Sequence, residues 1–195
     1  MGGAPAAARN PRLTMKLCLA GDFKVGKTSL MRRFVSGTFD ERYVTTLGAK
    51  VDSKVFSVPD PDADEARIDV GATIWDIMGN PGFRELLKDA YFHGAQGMLL
   101  ICDATRPETV ENLPTWYKAA SSIAGEIPAV VLLNKTDLAD EVRVTPQDMD
   151  RICTPRDWPW LPTSAKTGEN VDPAFEKVTE FHLAATRKSR ASKAT

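Results

Sequence analysis

The sequence predicts an α/β fold: a six-stranded, mostly parallel sheet with one antiparallel hairpin edge strand and about five helices on both faces. Three observations lead to this class. Short apolar runs alternate along the chain with longer segments of helical pattern. The runs at 97–104 (GMLLICDA) and 127–135 (IPAVVLLNK) are almost continuously apolar, as strands buried on both faces are. The remaining connections are long enough for crossovers, which favours parallel pairing everywhere except at one hairpin.

Strands are predicted in six segments, in chain order 15–21, 49–58, 67–77, 97–104, 127–135 and 158–165. The second segment alternates apolar and polar residues, which is typical of a half-exposed strand. The stretch PDPDADEAR after it breaks the pattern and carries an acidic run, so we expect the loop of a hairpin there. The third strand then returns antiparallel to the second.

Helices are predicted at 27–37, 107–125, 145–152 and 171–188. Gly37 and Gly125 suit the ends of the first two, because glycine readily adopts the left-handed conformation that terminates helices. Pro107 fits a first helical turn, and Pro114 is expected to kink the same helix. Thr145 is a candidate N-cap of the third.

The composition is that of one ordinary globular domain: 195 residues, of which 43% are apolar and 26% charged. A net charge of −1 gives no reason to expect a nucleic-acid partner or strong attraction to anionic lipid. No stretch approaches the roughly 18 apolar residues needed to span a bilayer. Cys18, Cys102 and Cys153 lack metal-ligand spacing, so we expect buried free thiols in a reducing cytoplasm.

One domain is expected over 15–187, between a flexible N-terminal tail at 1–14 and a flexible basic C-terminal tail at 188–195. Neither end carries a complete lipidation motif. Ala6 stands where N-myristoylation requires Ser or Thr, and the last residues contain no Cys for a prenyl group. We therefore expect a cytoplasmic monomer without a lipid anchor.

The segment GDFKVGKT (21–28) matches the pattern of a phosphate-binding loop and lies where a strand gives way to a helix. Gly21 and Gly26 allow the backbone to bend so that successive amides point at phosphate oxygens. Lys27 is expected to bridge the terminal phosphates, and Thr28 to give its hydroxyl to Mg²⁺ at the helix N-terminus. The motif alone leaves kinases, ATPases and GTPases open.

The segment NKTD (134–137) follows a buried strand, where open α/β sheets bind ligands. The Asp137 carboxylate can accept hydrogen bonds from guanine N1–H and the exocyclic amine, a pair that adenine does not offer. Asn134 is expected to tie this loop to the phosphate loop, while the Lys135 stem covers the base. The segment TSAK (163–166) offers Ala165 and Lys166 to the base edge. Taken in order, the three segments favour guanine over adenine, and a small ATP-dependent kinase is disfavoured.

On these motifs the chain resembles the Ras-like small GTPases, closest to the Rab/Ran-type branch. The resemblance runs from Met15 to about Arg187 and includes TFDERYVTTLGAKV, WDIMGNPGFRELLKDAYFHGAQGMLLICDAT, LLNKTDL and TSAKTGENV. It implies the P-loop NTPase fold of small G proteins and a GTP/GDP molecular switch that hydrolyses GTP with Mg²⁺. It also implies effector and regulatory proteins that contact two switch loops, at about 38–50 and 76–93.

The resemblance implies particular site residues. Metal ligands are expected at Thr28, Thr46 and Asp76, and catalytic contributions at Asn80, Lys27, Thr46, Gly79 and Lys24. Contacts with the nucleotide are expected at Gly21, Asp22, Phe23, Lys24, Val25, Gly26, Lys27, Thr28, Ser29, Thr46, Gly79, Asn134, Lys135, Asp137, Leu138, Ser164, Ala165 and Lys166. Thr46 would sense the γ-phosphate through Mg²⁺, and the Gly79 amide would bond it directly.

Four residues depart from the family pattern at the catalytic machinery. Asn80 replaces the usual Gln, which in Ras orients the attacking water, and Met78 replaces the usual Ala. Phe23 and Lys24 stand where the family carries small residues. These changes predict slow hydrolysis without an activating partner. Two alternatives remain: a GTP-locked interaction module without hydrolysis, or charge stabilisation in cis by Lys24.

Overall fold

The computed structural model describes residues 12–40, 48–60 and 66–193. Within them lies one six-stranded sheet with the order β2-β3-β1-β4-β5-β6. Its strands are β1 (Arg12–Ala20), β2 (Ala49–Pro59), β3 (Arg67–Ile77), β4 (Gly97–Asp103), β5 (Ala129–Asn134) and β6 (Trp160–Thr163). All neighbours pair in parallel except β2 and β3, which form the edge hairpin. The predicted fold class is confirmed; the hairpin loop at 61–65 lies outside the described residues.

The described helices are α1 (Lys27–Ser36), α2 (Pro81–Phe92), α3 (Glu108–Glu111), α4 (Leu113–Ala124), α5 (Pro146–Cys153) and α6 (Val171–Lys193). Helices α1 and α4 end at Gly37 and Gly125, as predicted; both glycines have positive φ angles, but only Gly37 is in the left-handed helical conformation. The helix predicted at 107–125 is interrupted at Asn112, because Pro114 occupies the first turn of α4, where its missing N–H costs nothing.

The strands and the last helix that differ most from their predicted bounds are β1, β6 and α6. Strand β1 begins at Arg12 and helix α6 continues to Lys193, so both extend into segments predicted as tails. Strand β6 is limited to Trp160–Thr163, within the longer segment predicted. Among the described residues, no helix is long and apolar enough to cross a lipid bilayer.

The hydrophobic core lies on both faces of the sheet. On one face, Trp116 of α4 and Phe92 of α2 are fully buried. On the other, Phe34 of α1 and Phe175 of α6 stack with ring centroids 3.7 Å apart. The three thiols are buried and free, as predicted.

The parallel register brings polar residues together where the strands end. Asp76 of β3 pairs with Leu19, two residues before the phosphate loop begins. Asp103 of β4 pairs with Asn134 of β5, which in turn pairs with Thr163 of β6. The carboxyl ends of five strands therefore meet along one edge of the sheet, the usual place for a ligand site in such folds.

Candidate functional site

A cavity of about 440 Å³ opens at this edge of the sheet. It is lined by Phe23, Lys24, Gly26, Lys27, Thr28, Ser29, Arg32, Phe39, Asp40, Ile77, Met78, Gly79, Asn134, Lys135, Asp137, Leu138, Ala165 and Lys166. Most residues predicted to bind nucleotide are therefore brought into one space. Gly21, Asp22, Val25, Asp76, Asn80 and Ser164 are not among the lining residues. Thr46, predicted to bind metal and sense phosphate, lies outside the described residues.

Two glycines of the phosphate loop stand where no other residue fits. A Cβ atom on Gly21 would come within 2.1 Å of the Ile101 carbonyl oxygen, and one on Gly26 within 2.2 Å of the Asn134 amide nitrogen. Gly26 also has a φ of +102°, which L side chains rarely adopt. The loop conformation therefore depends on both glycines.

The Lys27 ammonium is held inside the phosphate loop. Its Nζ donates to the carbonyl oxygens of Gly21, at 2.8 Å, and Asp22, at 2.7 Å. Burial lowers the pKa of Lys27 to about 8, while the Asp76 and Asp22 carboxylates oppose that effect. The ammonium lies at the start of α1, where a bound anion also meets the positive end of the helix dipole.

The side chain of Asp22 points away from the cavity. Its carboxylate accepts hydrogen bonds from Trp116 Nε1, at 2.8 Å, and Asn112 Nδ2, at 2.7 Å. The structure thus gives this side chain a supporting task, fastening the phosphate loop to the start of α4. Arg106 adds a second tie, because its guanidinium donates to the Phe23 carbonyl at 2.7 Å.

Two oxygen ligands suited to magnesium meet beside the phosphate loop. The Thr28 hydroxyl donates to the fully buried Asp76 carboxylate, so α1 and the end of β3 present both groups at one point. Hydroxyl and carboxylate oxygens are the ligands that Mg²⁺ takes in phosphate-binding sites, together with substrate phosphates and water. The described residues hold no group of three or more His, Cys, Asp or Glu placed to bind a metal.

Gly79 lies just after strand β3, within the predicted second switch, and packs closely against the phosphate loop. A Cβ atom there would lie 2.6 Å from the Asp22 carbonyl and from the Phe23 amide nitrogen. Gly79 is buried and lines the cavity. Its backbone amide would therefore lie close to a terminal phosphate bound by the phosphate loop.

Asn134 ties its loop to the phosphate loop, as predicted, and also contacts the loop that carries Ala165. Its Nδ2 donates to the Val25 carbonyl at 2.8 Å, and its Oδ1 accepts from the Ala165 amide at 3.2 Å. The side chain is buried. A buried amide needs its hydrogen-bond partners. These bonds therefore fix the spacing between the phosphate loop and the two loops expected to recognise the base, NKTD (134–137) and TSAK (163–166).

Asp137 is oriented by Ser164. The Ser164 hydroxyl donates to Asp137 Oδ1 at 2.6 Å and also accepts from the Thr167 amide at 3.1 Å. Ser164 is fully buried, whereas Asp137 lines the cavity. Ser164 therefore holds the residue expected to recognise guanine, and its own contact with the nucleotide stays a prediction.

Asp103 holds Lys135 in place. The Lys135 ammonium lies 2.6 Å from Asp103 Oδ2, and Arg106 Nε donates to the same oxygen at 3.1 Å. Burial alone would raise the pKa of Asp103, but hydrogen bonds from Lys135 and Thr105 hold it below its ordinary value. The ammonium is therefore anchored while the Lys135 stem lines the cavity.

Asn80 is the N-cap of helix α2. Its Oδ1 accepts a hydrogen bond from the Gly82 amide at 2.9 Å, and the residue is exposed. Asn is among the best N-cap residues, because its short side chain reaches the free amides of the first helical turn. The amide oxygen expected to orient water therefore already accepts one hydrogen bond from its own helix.

Several residues that the sequence reasoning missed belong to the site. Phe39 lines the cavity together with Arg32 and Asp40, whose charged groups lie 3.7 Å apart. Phe39 could have been noticed in the sequence, because it is an aromatic residue two positions after the glycine that ends α1. Asp103 could have been found too, since it is a charged residue at the end of a wholly apolar strand.

A phosphate loop between β1 and α1, with two base-recognition loops after β5 and β6, defines a P-loop protein that binds guanine nucleotides. The Ras family model matches residues 16–183. Mouse Rab-7b is 38% identical over 173 residues, 86% of this chain and 82% of the relative. Candida albicans SEC4 is 34% identical, covering 90% and 80%, and the GTP-binding nuclear protein GSP1 of Encephalitozoon cuniculi is 31% identical, covering 88% and 75%.

The chain therefore belongs to the Ras family, close to its Rab and Ran members. It is a small GTPase that hydrolyses GTP and acts as a GTP-dependent molecular switch. The predictions of family and activity are confirmed, and the GTP-locked module without hydrolysis is not favoured.

Proposed function

We propose that this GTPase is a slow, Mg²⁺-dependent switch whose intrinsic hydrolysis is limited by Asn80. One observation supports the proposal: Asn80 Oδ1 accepts a hydrogen bond from the Gly82 amide and so caps helix α2. A water-orienting amide must lie within about 0.5 Å of its productive position to be effective. An amide that is one methylene shorter than Gln and already bonded to its own helix is poorly placed for that task.

In this proposal the phosphates lie over the loop from Gly21 to Ser29, with Lys27 bridging the terminal ones. The guanine base lies between the Lys135 stem and the loop that carries Ala165. Asp137 accepts its N1–H and exocyclic amine, which is supported by the Ser164 bond that aims the carboxylate. Phe39 supplies an apolar contact from the opposite side of the cavity.

Thr28 and Asp76 would hold Mg²⁺, with Thr46 as the proposed third contact. The ion would neutralise charge that develops on the phosphates during transfer to water. Around it, the Lys27 ammonium and the Gly79 amide would stabilise the same charge from fixed positions. Phe23, with 40% of its surface exposed, narrows the cavity beside this region.

Lys24 is the competing catalytic candidate. It lines the cavity, has a left-handed φ of +63°, and places its ammonium 5.5 Å from the centre of the Phe23 ring. A cation at this position could stabilise developing phosphate charge as a finger residue does. In that case hydrolysis would be rapid and would depend on Lys24.

Effector and regulatory proteins are expected to bind the switch loops at about 38–50 and 76–93. Release of the γ-phosphate frees loops that were ordered by it, which is how such proteins signal.

We propose that the protein is a cytoplasmic monomer whose GTPase domain spans 15–187, and that it does not bind nucleic acid. Burial raises the pKa values of Cys18 and Cys102, which suits thiols that stay reduced and unreactive.

The nucleotide that accompanies the protein through gentle purification tests the proposal. We expect GDP with bound Mg²⁺, and faster GDP release when EDTA removes the metal. Trapped GTP that persists for days would support a locked module instead. An adenine nucleotide would contradict the assignment of Asp137.

A further inference from the structure

Arg33 of α1 joins two segments that are far apart in the sequence. Its Nε donates to the Ala165 carbonyl at 2.8 Å and its Nη2 to the Lys166 carbonyl, while Nη1 donates to the Gly37 carbonyl at 2.7 Å. The three acceptors are all backbone oxygens. The first two belong to the base-recognition loop (residues 164–168), and the third to the residue that precedes the first switch.

The base-recognition loop also contacts two residues of the predicted nucleotide site. The Ser164 hydroxyl donates to Asp137 Oδ1, and the Ala165 amide donates to Asn134 Oδ1. Arg33 holds the same loop through the carbonyls of Ala165 and Lys166, without itself lining the cavity.

Gly37 is held by Arg33 twice. Its amide donates to the Arg33 carbonyl at 2.9 Å and closes α1, while its own carbonyl accepts from the Arg33 side chain. Gly37 has a φ of +68°, so the chain turns sharply there before entering the first switch. A displacement of that switch entry would pull directly on the residue that secures the base-recognition loop.

We propose that Arg33 is a positioning residue that retains the bound guanine nucleotide and couples its release to the entry of the first switch. The proposal deepens the guanine site described above and rests on it. Displacement of the chain at Gly37 withdraws one anchor of the guanidinium, and the hold on Ala165 and Lys166 weakens with it. The base then leaves more readily.

Only arginine suits this position. A planar guanidinium presents five donors in a fixed geometry, so it can reach three carbonyls at once. Lysine has one compact ammonium and cannot span acceptors on two loops. Loss of charge-assisted hydrogen bonds of this kind should accelerate nucleotide release about tenfold or more.

Release of fluorescent mant-GDP into excess GDP, with Mg²⁺ present, tests the proposal. Arg33→Ala and Arg33→Lys should both release it about tenfold faster than wild type. Arg156→Ala is the matched control, since Arg156 also donates to a backbone carbonyl, that of Ile152, but lies away from the cavity. Its release rate should equal that of wild type.

A second measurement separates positioning from damage to the fold. The single-turnover hydrolysis of GTP already bound should stay within about twofold of wild type in both Arg33 variants, because Arg33 touches neither phosphate nor water. Release rates within twofold of wild type in Arg33→Ala would overturn the inference, as would full retention by Arg33→Lys. Equal losses in release and hydrolysis with a lowered melting temperature would also overturn it.

The coupling itself is tested by a double-mutant cycle. Gly37→Ala strains the left-handed turn and should accelerate GDP release in wild type but add little in Arg33→Ala. Fully multiplicative effects would contradict the coupling. Two outcomes are distinguishable. If wild type retained mant-ADP but released mant-GDP at once, the proposed guanine site itself would be wrong. If wild type retained mant-GDP and the release rate of Arg33→Ala equalled that of wild type, only the inference about Arg33 would be wrong.

Discussion

At the scale of single residues, the site separates groups that line the cavity from groups that hold them in place. Asp137 faces the cavity, and the buried Ser164 aims it. Lys135 lines the cavity, and Asp103 anchors its ammonium. The residues that line the cavity could be recognised from motifs. The contacts that hold them could not, because strand register, and not sequence proximity, brings Ser164 to Asp137 and Asp103 to Lys135.

Exchanging Asp137 for Asn should weaken GDP binding about hundredfold, because the carboxylate loses its charge and one of its two acceptor oxygens becomes an amide NH₂ that faces a donor of the base. Equilibrium titration with mant-GDP measures this. Xanthosine diphosphate carries a carbonyl where guanine has its amine, so its binding should improve in the same variant. Unchanged GDP affinity would remove Asp137 from the proposed site.

Asp103→Asn should lower stability by about 1–3 kcal/mol at neutral pH, because Lys135 and Arg106 lose a charged partner. The folded-state pKa of Asp103 is lowered. Its stabilisation is therefore complete above the unfolded value of about 3.9 and is lost as pH falls through the lower folded value. Thermal melts from pH 7 down to about pH 3.5 should show a constant difference that narrows only below pH 4. A difference that narrowed already near neutrality would contradict this.

At the scale of elements, the strands and most helices were predictable because their burial patterns differ sharply. Strands β4 and β5 are buried throughout, and their apolar runs show it directly. Helix α2 was not assigned in advance. Its start depends on the Asn80 cap and Pro81, in a segment where the motif drew attention to catalysis instead. The proline predicts a kink at Pro114, whereas the helix is interrupted two residues earlier, at Asn112.

Helix α5 offers a direct test of local capping. Thr145 accepts from the Asp148 amide, and the Asp148 side chain accepts from the Thr145 amide, which forms a capping box. Thr145→Ala should cost about 1 kcal/mol and lower the melting temperature by about 2–4 °C. Thr145→Ser keeps the hydroxyl and is the control. Equal loss in both variants would show that the side-chain cap is not responsible.

At the scale of the whole molecule, the cavity is lined by residues at or after the carboxyl ends of β1, β3, β5 and β6, so a nucleotide bound there would contact much of the sheet edge at once. A ligand that binds only the folded state stabilises it by about 4 kcal/mol at a thousandfold excess over its dissociation constant. Saturating GDP with Mg²⁺ should therefore raise the melting temperature by about 10 °C. ATP at the same concentration should leave it unchanged; equal stabilisation by both would contradict guanine selectivity.

The central claim is that Asn80 caps α2 and does not position water, and single-turnover GTP hydrolysis tests it most directly. We predict a wild-type rate constant below about 10⁻³ s⁻¹, an increase of about ten- to a hundredfold in Asn80→Gln, and no change in Asn80→Ser, which keeps a capping oxygen. Rapid wild-type hydrolysis that Lys24→Ala abolishes, or a large loss in Asn80→Ser, would contradict the account.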